Sequence, residues 1–292
     1  MDGYQKGLNS LGVPMKYAPW HCRLLPLNRV INKLGCERGS NIHVIYIGDS
    51  NLRLQKKTFD TFWKTVSSTT DTTASNHSVA LPHIETSLIS LHGGLHQTLP
   101  NVSIALEGIL HNATSTKLKK TMTTYMILFN SGLRDISRRC LLRLNVSCTK
   151  NYKESFRALL SLVSDFPADL KVLQTTTAGW PKYGNFGFAW PPTHPQPLPR
   201  DPNFVDHFNS DMLQEVVRAG TGTPNAAGSS GNTAISVMGA FWLTLSRPDH
   251  REVDKTNAIG KHLVHPGPEV LNALTRQWIT MIIESVCGGA ST

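Results

Sequence analysis

Ile42-His43-Val44-Ile45-Tyr46-Ile47-Gly48-Asp49-Ser50-Asn51-Leu52-Arg53 is the stretch whose reading decides the fold. Five of its first six residues are β-branched or aromatic, with Gly39-Ser40 before them and Gly48-Asp49 after. That composition predicts a short buried strand. Beyond it, Leu52, Phe59, Phe62, Trp63 and Val66 fall at the spacing of one helical face. Ser50 therefore sits on the turn between the carboxyl end of a strand and the start of a helix. Open α/β sheets place reactive groups at that edge, where first-turn amides and the positive end of the helix favour a developing anion. A plainer reading stands beside this one: Gly-Asp-Ser is a turn whose Asp or Ser caps the helix.

The same alternation continues outward from this unit. Residues 84–91 predict a second strand ending in His92-Gly93-Gly94, and residues 104–119 a helix of weak amphipathic pattern. Tyr125 to Phe129 predict a third strand running into Asn130-Ser131-Gly132-Leu133-Arg134-Asp135. Phe156, Leu159, Leu160 and Val163 mark a helix that ends before Pro167, followed by a strand over Leu170 to Thr175 and then Thr176-Thr177. Phe204, Val205, Phe208, Met212, Leu213, Val216 and Val217 give an amphipathic helix; Ile235 to Leu245 reads as the last strand, and Val270 to Ile283 as a final helix. Alternating strands and helices argue for a three-layer αβα domain around a central, mostly parallel sheet.

One such domain is expected over residues 41–292, preceded by an irregular lead-in over 1–40 that Pro14, Pro19 and Pro26 interrupt and that carries a short helix near Leu27 to Leu34. Loop insertions are expected at 67–82 (Ser/Thr-rich), 180–202 (Pro, Gly and aromatics) and 219–232 (Gly-rich). The last lacks the Gly-Lys-Ser/Thr ending of a phosphate-binding loop.

At 40% apolar and 17% charged residues the composition is that of a globular protein. A net charge of +9 favours anionic partners. Its basic residues are scattered, with no nucleic-acid motif and no aromatics interleaved with a basic run, so nucleic acid is set aside as a partner. An acidic glycan accounts for the charge equally well. No apolar run has the length to span a bilayer, and Met1-Asp2-Gly3-Tyr4-Gln5-Lys6 does not read as a signal peptide. Sequons begin at Asn76, Asn101, Asn112 and Asn145, which point to the secretory lumen, such as the Golgi, or the cell exterior. That reading carries the expectation of a signal or anchor ahead of this chain. Cys22, Cys36, Cys140, Cys148 and Cys287 are compatible with two disulfides and one free thiol, and none has C-x-x-C spacing, so no metal site is expected.

A nucleophilic serine needs a base and an oxyanion hole. His265, in the loop before the last helix, is the candidate base for Ser50; a lone loop histidine is otherwise a surface or hydrogen-bonding residue. Asn130 ends a strand, and its amide, the Ser50 N–H and the N–H of Gly93 or Gly94 could together hold an oxyanion. The alternative makes Asn130 a turn residue and the glycines a tight loop.

In order and spacing, Gly48-Asp49-Ser50, the glycines after the second strand, Asn130-Ser131-Gly132 and the late His265 resemble the blocks of SGNH (GDSL-like) hydrolases. Trp20-His21-Cys22 through Cys36, the Gly48 to Arg53 block, Asn130 to Asp135 and Leu173 to Thr177 resemble more closely the PC-esterase-like branch. That branch includes the NXPE proteins, trichome-birefringence-like acetyltransferases and the sialate O-acetyltransferase catalytic domain. The resemblance spans about Trp20 to Ile283. It implies a flavodoxin-like sheet and a serine esterase or acyltransferase acting on O-acyl, chiefly O-acetyl, groups of a glycan or a small ester, with no cofactor. The last block departs from the family's Asp-x-x-His, for His262 stands in the place of the Asp. A histidine cannot act as the carboxylate that fixes a catalytic imidazole. Asp254 or Glu252 could take that role, a Ser50–His265 dyad could suffice at reduced rate, or the chain could retain binding alone. Arg53 and Arg134 are candidates to hold a substrate carboxylate, against the plainer reading of structural ion pairs. The sequence leaves the oligomeric state open.

Overall fold

The computed structural model describes residues 41–72, 82–92, 94–115, 123–132, 135, 146–178, 202–221, 234–245, 266 and 268–287. Their elements are β1 Asn41–Gly48, α1 Ser50–Thr72, β2 His83–Ser90, α2 Leu95–Ser115, β3 Thr123–Phe129, α3 Val146–Asp165, β4 Leu170–Gln174, α4 Pro202–Thr221, β5 Ile235–Met238, α5 Ala240–Leu245 and α6 Pro268–Cys287. The strands form one five-stranded sheet in the order β2-β1-β3-β4-β5, and each adjacent pair is parallel. This is a flavodoxin-like doubly wound order, with its topological switch between β1 and β3.

Apolar residues cover both faces of the sheet, as the near-continuous hydrophobic runs of β1 and β3 require. Ile45, Ile47, Ile127, Phe129 and Leu173 face α2, α3 and α4, where they pack with Leu95, Val102, Phe156, Leu160, Phe208 and Met212. Their strand neighbours Val44, Tyr46, Met126, Leu128 and Val172 face the opposite way, against Leu52 and Phe59 of α1 and Trp278, Ile279 and Ile282 of α6. The three layers follow from that alternation.

Four boundaries differ from those the sequence suggested, the first being the start of α2, which lies at Leu95 rather than at Ile104. Residues 67–72 continue α1 rather than opening a loop. Along this helix Thr58, Thr61, Thr65 and Ser67 each return their hydroxyl to the carbonyl four residues back, which satisfies the polar side chains without breaking the helix. Residues 219–221 likewise belong to α4. The expected strand over Ile235 to Leu245 stops at Met238 and becomes α5 after Gly239. The physical cause lies just past β4: Thr175 Oγ1 accepts the Ala240 and Phe241 amides at 2.8 and 3.0 Å and so caps a helix start. The expected helix at Leu27 to Leu34, the lead-in cysteines Cys22 and Cys36, Cys140 and most of the 180–202 insertion lie outside the described residues.

An ion cluster joins α3 to α4. Glu215, 3% exposed, takes Arg157 of α3 at 2.6 Å and Arg218 of its own helix at 2.6 Å. Asp211 receives Lys153 at 2.9 Å. At the far end of the sheet, buried Lys171 donates to the Ser164 carbonyl at 2.7 Å, closing the last turn of α3.

Candidate functional site at the carboxyl edge of the sheet

The turn after β1 bears out the capping reading of Gly-Asp-Ser and sets Ser50 at the start of the helix. Asp49 caps α1, accepting the Asn51 amide on its Oδ1 at 2.8 Å. The helical ladder begins one turn on, where Arg53 N–H donates to the Asp49 carbonyl at 3.0 Å. Ser50 thus occupies the first position of α1, partly exposed, with its backbone amide in the turn that precedes the ladder. Gly48 permits this geometry: a Cβ there would lie 2.5 Å from Leu52 Cδ1 and 3.1 Å from Leu52 Cβ, so any side chain would force the buried Leu52 side chain to move. A serine is therefore held at the positive end of a 23-residue helix, beside the buried Asp49.

Parallel register brings the other strand ends level with it. Leu91 N–H reaches the Gly48 carbonyl at 2.8 Å, and Asn130 N–H the Ile47 carbonyl at 2.9 Å. Asn130 is 3% exposed, and its Nδ2 spends one hydrogen on the Gln174 carbonyl at 2.8 Å. An amide nitrogen carries two hydrogens, so this bond fixes the side chain and leaves a second donor.

The Thr175-Thr176-Thr177 run ties the edge together, a role its polar composition alone did not announce. Thr175 caps α5 as described. Thr176 donates through Oγ1 to the Ser131 carbonyl at 2.6 Å, and its backbone is held at both polar groups by Asn209 of α4, at 2.7 and 3.1 Å. Thr177 Oγ1 accepts Asn51 Nδ2 at 2.6 Å, across 126 residues of sequence. The residue after the serine is thereby bolted to the end of β4.

The turn after β3 is fixed as firmly. Gly132 has a φ of 105°, a conformation side-chain-bearing residues rarely adopt, and an added Cβ would lie 3.2 Å from both Thr176 Oγ1 and Tyr152 Oη. Ser131 Oγ and Tyr152 Oη lie 3.0 Å apart. Further on, Asp135 Oδ1 accepts the Leu95 amide at 2.9 Å. Its carboxyl is raised above the ordinary range chiefly by burial, with Asp49 adding to the rise and the Leu95 amide and His96 opposing it. Burial, then Asp135, pushes the Tyr152 phenol well up, so it stays protonated.

Of the residues singled out from sequence, Ser50, Asn130 and Gly94 come to this one edge, and Arg53 stands exposed on α1 one turn along from the cap. Gly93, Arg134, Glu252, Asp254, His262 and His265 lie outside the described residues. The sequence reading missed Asn51, Thr177 and Asp135. A signal existed for Asn51 and Asp135, since polar residues beside a strand-end turn are candidates for capping, but their partners are remote in sequence.

Among the described residues no group of His, Cys, Asp and Glu side chains is arranged to hold a metal ion. No helix among them is long and apolar enough to cross a membrane.

No family model matches the chain, and no curated protein matches it. Solved structures with a similar outline include a member of the lipolytic G-D-S-L family from Veillonella parvula, 11% identical, over 82% of this chain and 97% of that one, with a TM-score of 0.42. An α/β hydrolase from the metagenome of Lake Arreo is 10% identical over 87% and 98% of the two chains, with a TM-score of 0.45. A catalytic mutant of an acetylxylan esterase from Geobacillus stearothermophilus is 11% identical over 84% and 95%, with a TM-score of 0.46.

Proposed function

We propose that this chain is a serine esterase or acyltransferase of SGNH type, acting on O-acyl groups, chiefly O-acetyl groups of a glycan. The observation that carries the proposal is the placement of Ser50 and Asn130 on either side of the β1/β3 switch point, with Ser50 opening α1. Doubly wound sheets bind ligands in that crevice. Ser50 Oγ attacks the acyl carbonyl carbon while His265 takes the hydroxyl proton. The negative oxygen that forms is held by the second Asn130 amide hydrogen, the Ser50 N–H and the N–H of Gly93 or Gly94. Collapse breaks the C–O bond to the leaving alcohol, which receives the proton from His265. Water or a sugar hydroxyl then attacks the acyl-serine and frees Ser50. Hydrolase and transferase differ only in which of these two enters. Asp254 is the carboxylate assigned to orient His265, since His262 stands where the SGNH pattern has an acid; Arg53 and Arg134 are assigned to an acidic group on the substrate.

The test is turnover of p-nitrophenyl acetate and of an O-acetylated glycan by the full chain, compared with Ser50→Ala and His265→Ala. Each substitution is expected to lower kcat by about 10³-fold or more. Undiminished turnover by Ser50→Ala would reject the nucleophile.

A second reading is favoured by His262 itself: a binding protein on the same fold, with catalysis lost. It predicts a wild type that binds acetylated glycan yet shows the same slow turnover as Ser50→Ala. For either reading we assign the chain to the secretory lumen or the exterior. Two sequon asparagines, Asn101 and Asn112, are exposed on α2, and eleven residues apart they fall on one helical stripe. Expression in a secreting cell should give a mass shift that enzymatic deglycosylation reverses, and an unshifted secreted chain would remove the sequons as support.

A further inference from the structure

We infer that Asp135 is a positioning residue that holds the Gly94–Leu95 backbone in register with Ser50, so that the start of α2 can serve the oxyanion. The inference rests on the esterase reading and deepens it. Gly94 precedes the first residue of α2 and its carbonyl already accepts the Gln97 amide at 3.0 Å, so it occupies the cap position of that helix. A glycine has no side chain with which to cap. The missing acceptor comes from elsewhere: Asp135 Oδ1 takes the Leu95 N–H at 2.9 Å, across 40 residues.

Glycine and acid are matched to each other. A Cβ on Gly94 would lie 3.3 Å from Asp135 Oδ1 and 3.1 Å from the His96 ring, so the absence of a side chain is what lets the carboxylate approach the helix end. A carboxylate there also complements the positive end of α2. The other end of the connection is rigid. The turn from Asn130 to Gly132 is pinned to the segment after β4 through Thr176 Oγ1 and to α3 through Tyr152. Asp135 therefore links the loop that carries one assigned oxyanion donor, Asn130, to the loop that carries another, Gly94. Asp49, which caps α1 beside Ser50, is close enough to act on the Asp135 charge, so the link lies at the same edge as the serine. Among the described residues, the groups facing Asp135 are Asp49 from the end of β1, the Leu95 amide and His96 from α2, and Tyr152 from α3.

Oxyanion donors act through fixed geometry, and loss of one costs about 10²- to 10³-fold in kcat. Loosening one without removing it should cost less. The experiment compares the full-length wild type with Asp135→Ala and Asp135→Asn by two readouts. One is hydrogen exchange of the Leu95 amide; the other is kcat and KM for p-nitrophenyl acetate. Asp135→Ala should raise Leu95 exchange and lower kcat by about 10- to 100-fold with KM within about threefold. Asp135→Asn retains an acceptor oxygen and should restore both. Unchanged Leu95 exchange in Asp135→Ala overturns the inference, and so does lost protection with undiminished kcat, or an Asn variant as slow as the Ala variant. An active wild type with any of these results sinks this inference alone. A wild type no faster than Ser50→Ala overturns the esterase reading and this assignment with it.

Discussion

Replacing Thr177 by Val should destabilise the protein more than replacing its partner Asn51 by Ala, although both substitutions remove the same hydrogen bond. The bond is short, 2.6 Å from Asn51 Nδ2 to Thr177 Oγ1, and both residues are buried, at 4% and 2% exposure. Thr177→Val preserves shape but strands the Asn51 amide. Its Oδ1 already finds no hydrogen-bonding partner among the described residues, so the whole amide would then lie buried with neither end paired. An unsatisfied buried polar group costs about 1–3 kcal/mol, and that is the expected loss for Thr177→Val. Asn51→Ala removes the stranded oxygen together with the donor, and Thr177 can turn its hydroxyl toward another acceptor. Its cost should be about 0.5–1.5 kcal/mol, the net worth of one ordinary hydrogen bond. The double variant leaves no orphaned amide, so it should be no less stable than Thr177→Val, giving a coupling energy of about 1 kcal/mol. Urea unfolding followed by tryptophan fluorescence and circular dichroism measures all four proteins. Additive losses would refute the reasoning, as would an Asn51→Ala variant less stable than Thr177→Val, because either result would mean that the bond does not join these two elements.

Three further outcomes follow from the same geometry. Gln55 is fully buried on α1 with both amide atoms lacking a hydrogen-bonding partner among the described residues. Gln55→Met, similar in shape, should therefore stabilise by about 1–2 kcal/mol, and a lower urea midpoint would show that the amide is satisfied. Gly132→Ala should cost about 1–3 kcal/mol, since φ of 105° and a Cβ 3.2 Å from Tyr152 Oη both oppose it; a variant as stable as wild type would contradict that backbone conformation. Glu215→Gln should cost about 1–2 kcal/mol at neutral pH, the lower part of the charge-assisted range, because its guanidinium partners are largely exposed and screened. The Arg157 hydrogen bond holds the Glu215 carboxyl below its ordinary value of 4.5, with Arg218 adding to that effect. The stabilisation is thus present above that ordinary value and is lost as pH falls through the depressed one. The gap between wild type and Glu215→Gln should close in that acid window, and a gap that widens there would reverse the sign.

Much of the sheet was legible because β1 and β3 are buried on both faces, and only long apolar or β-branched runs such as Ile42 to Ile47 and Tyr125 to Phe129 meet that demand. Parallel order followed from the helices between them. The position of Ser50 and Asn130 at the carboxyl edge of the sheet was legible for the same reason: each follows a strand whose end was evident. Ala240-Phe241-Trp242-Leu243-Thr244-Leu245 was misread as strand because a uniformly apolar run has no period with which to declare itself. Its helix depends on Thr175, 65 residues earlier. Asn51 and Asp135 were missed on similar grounds. Their partners, Thr177 and the Leu95 amide, are set by the β2-β1-β3-β4 order of the sheet, which no local pattern encodes. The helical end of α1 shows the converse, where serine and threonine composition suggested a loop but back-bonding to the helix carbonyls satisfied the hydroxyls.

The account turns on whether Ser50 is an activated nucleophile, and a fluorophosphonate probe asks this directly. Incubation of the intact chain with the probe, followed by mass spectrometry of its peptides, should place one phosphonyl group on Ser50, with no adduct in Ser50→Ala and strongly slowed labelling in His265→Ala. A wild type that remains unlabelled, or an adduct that persists in Ser50→Ala, would contradict the assignment of this edge as an acyl-transfer site.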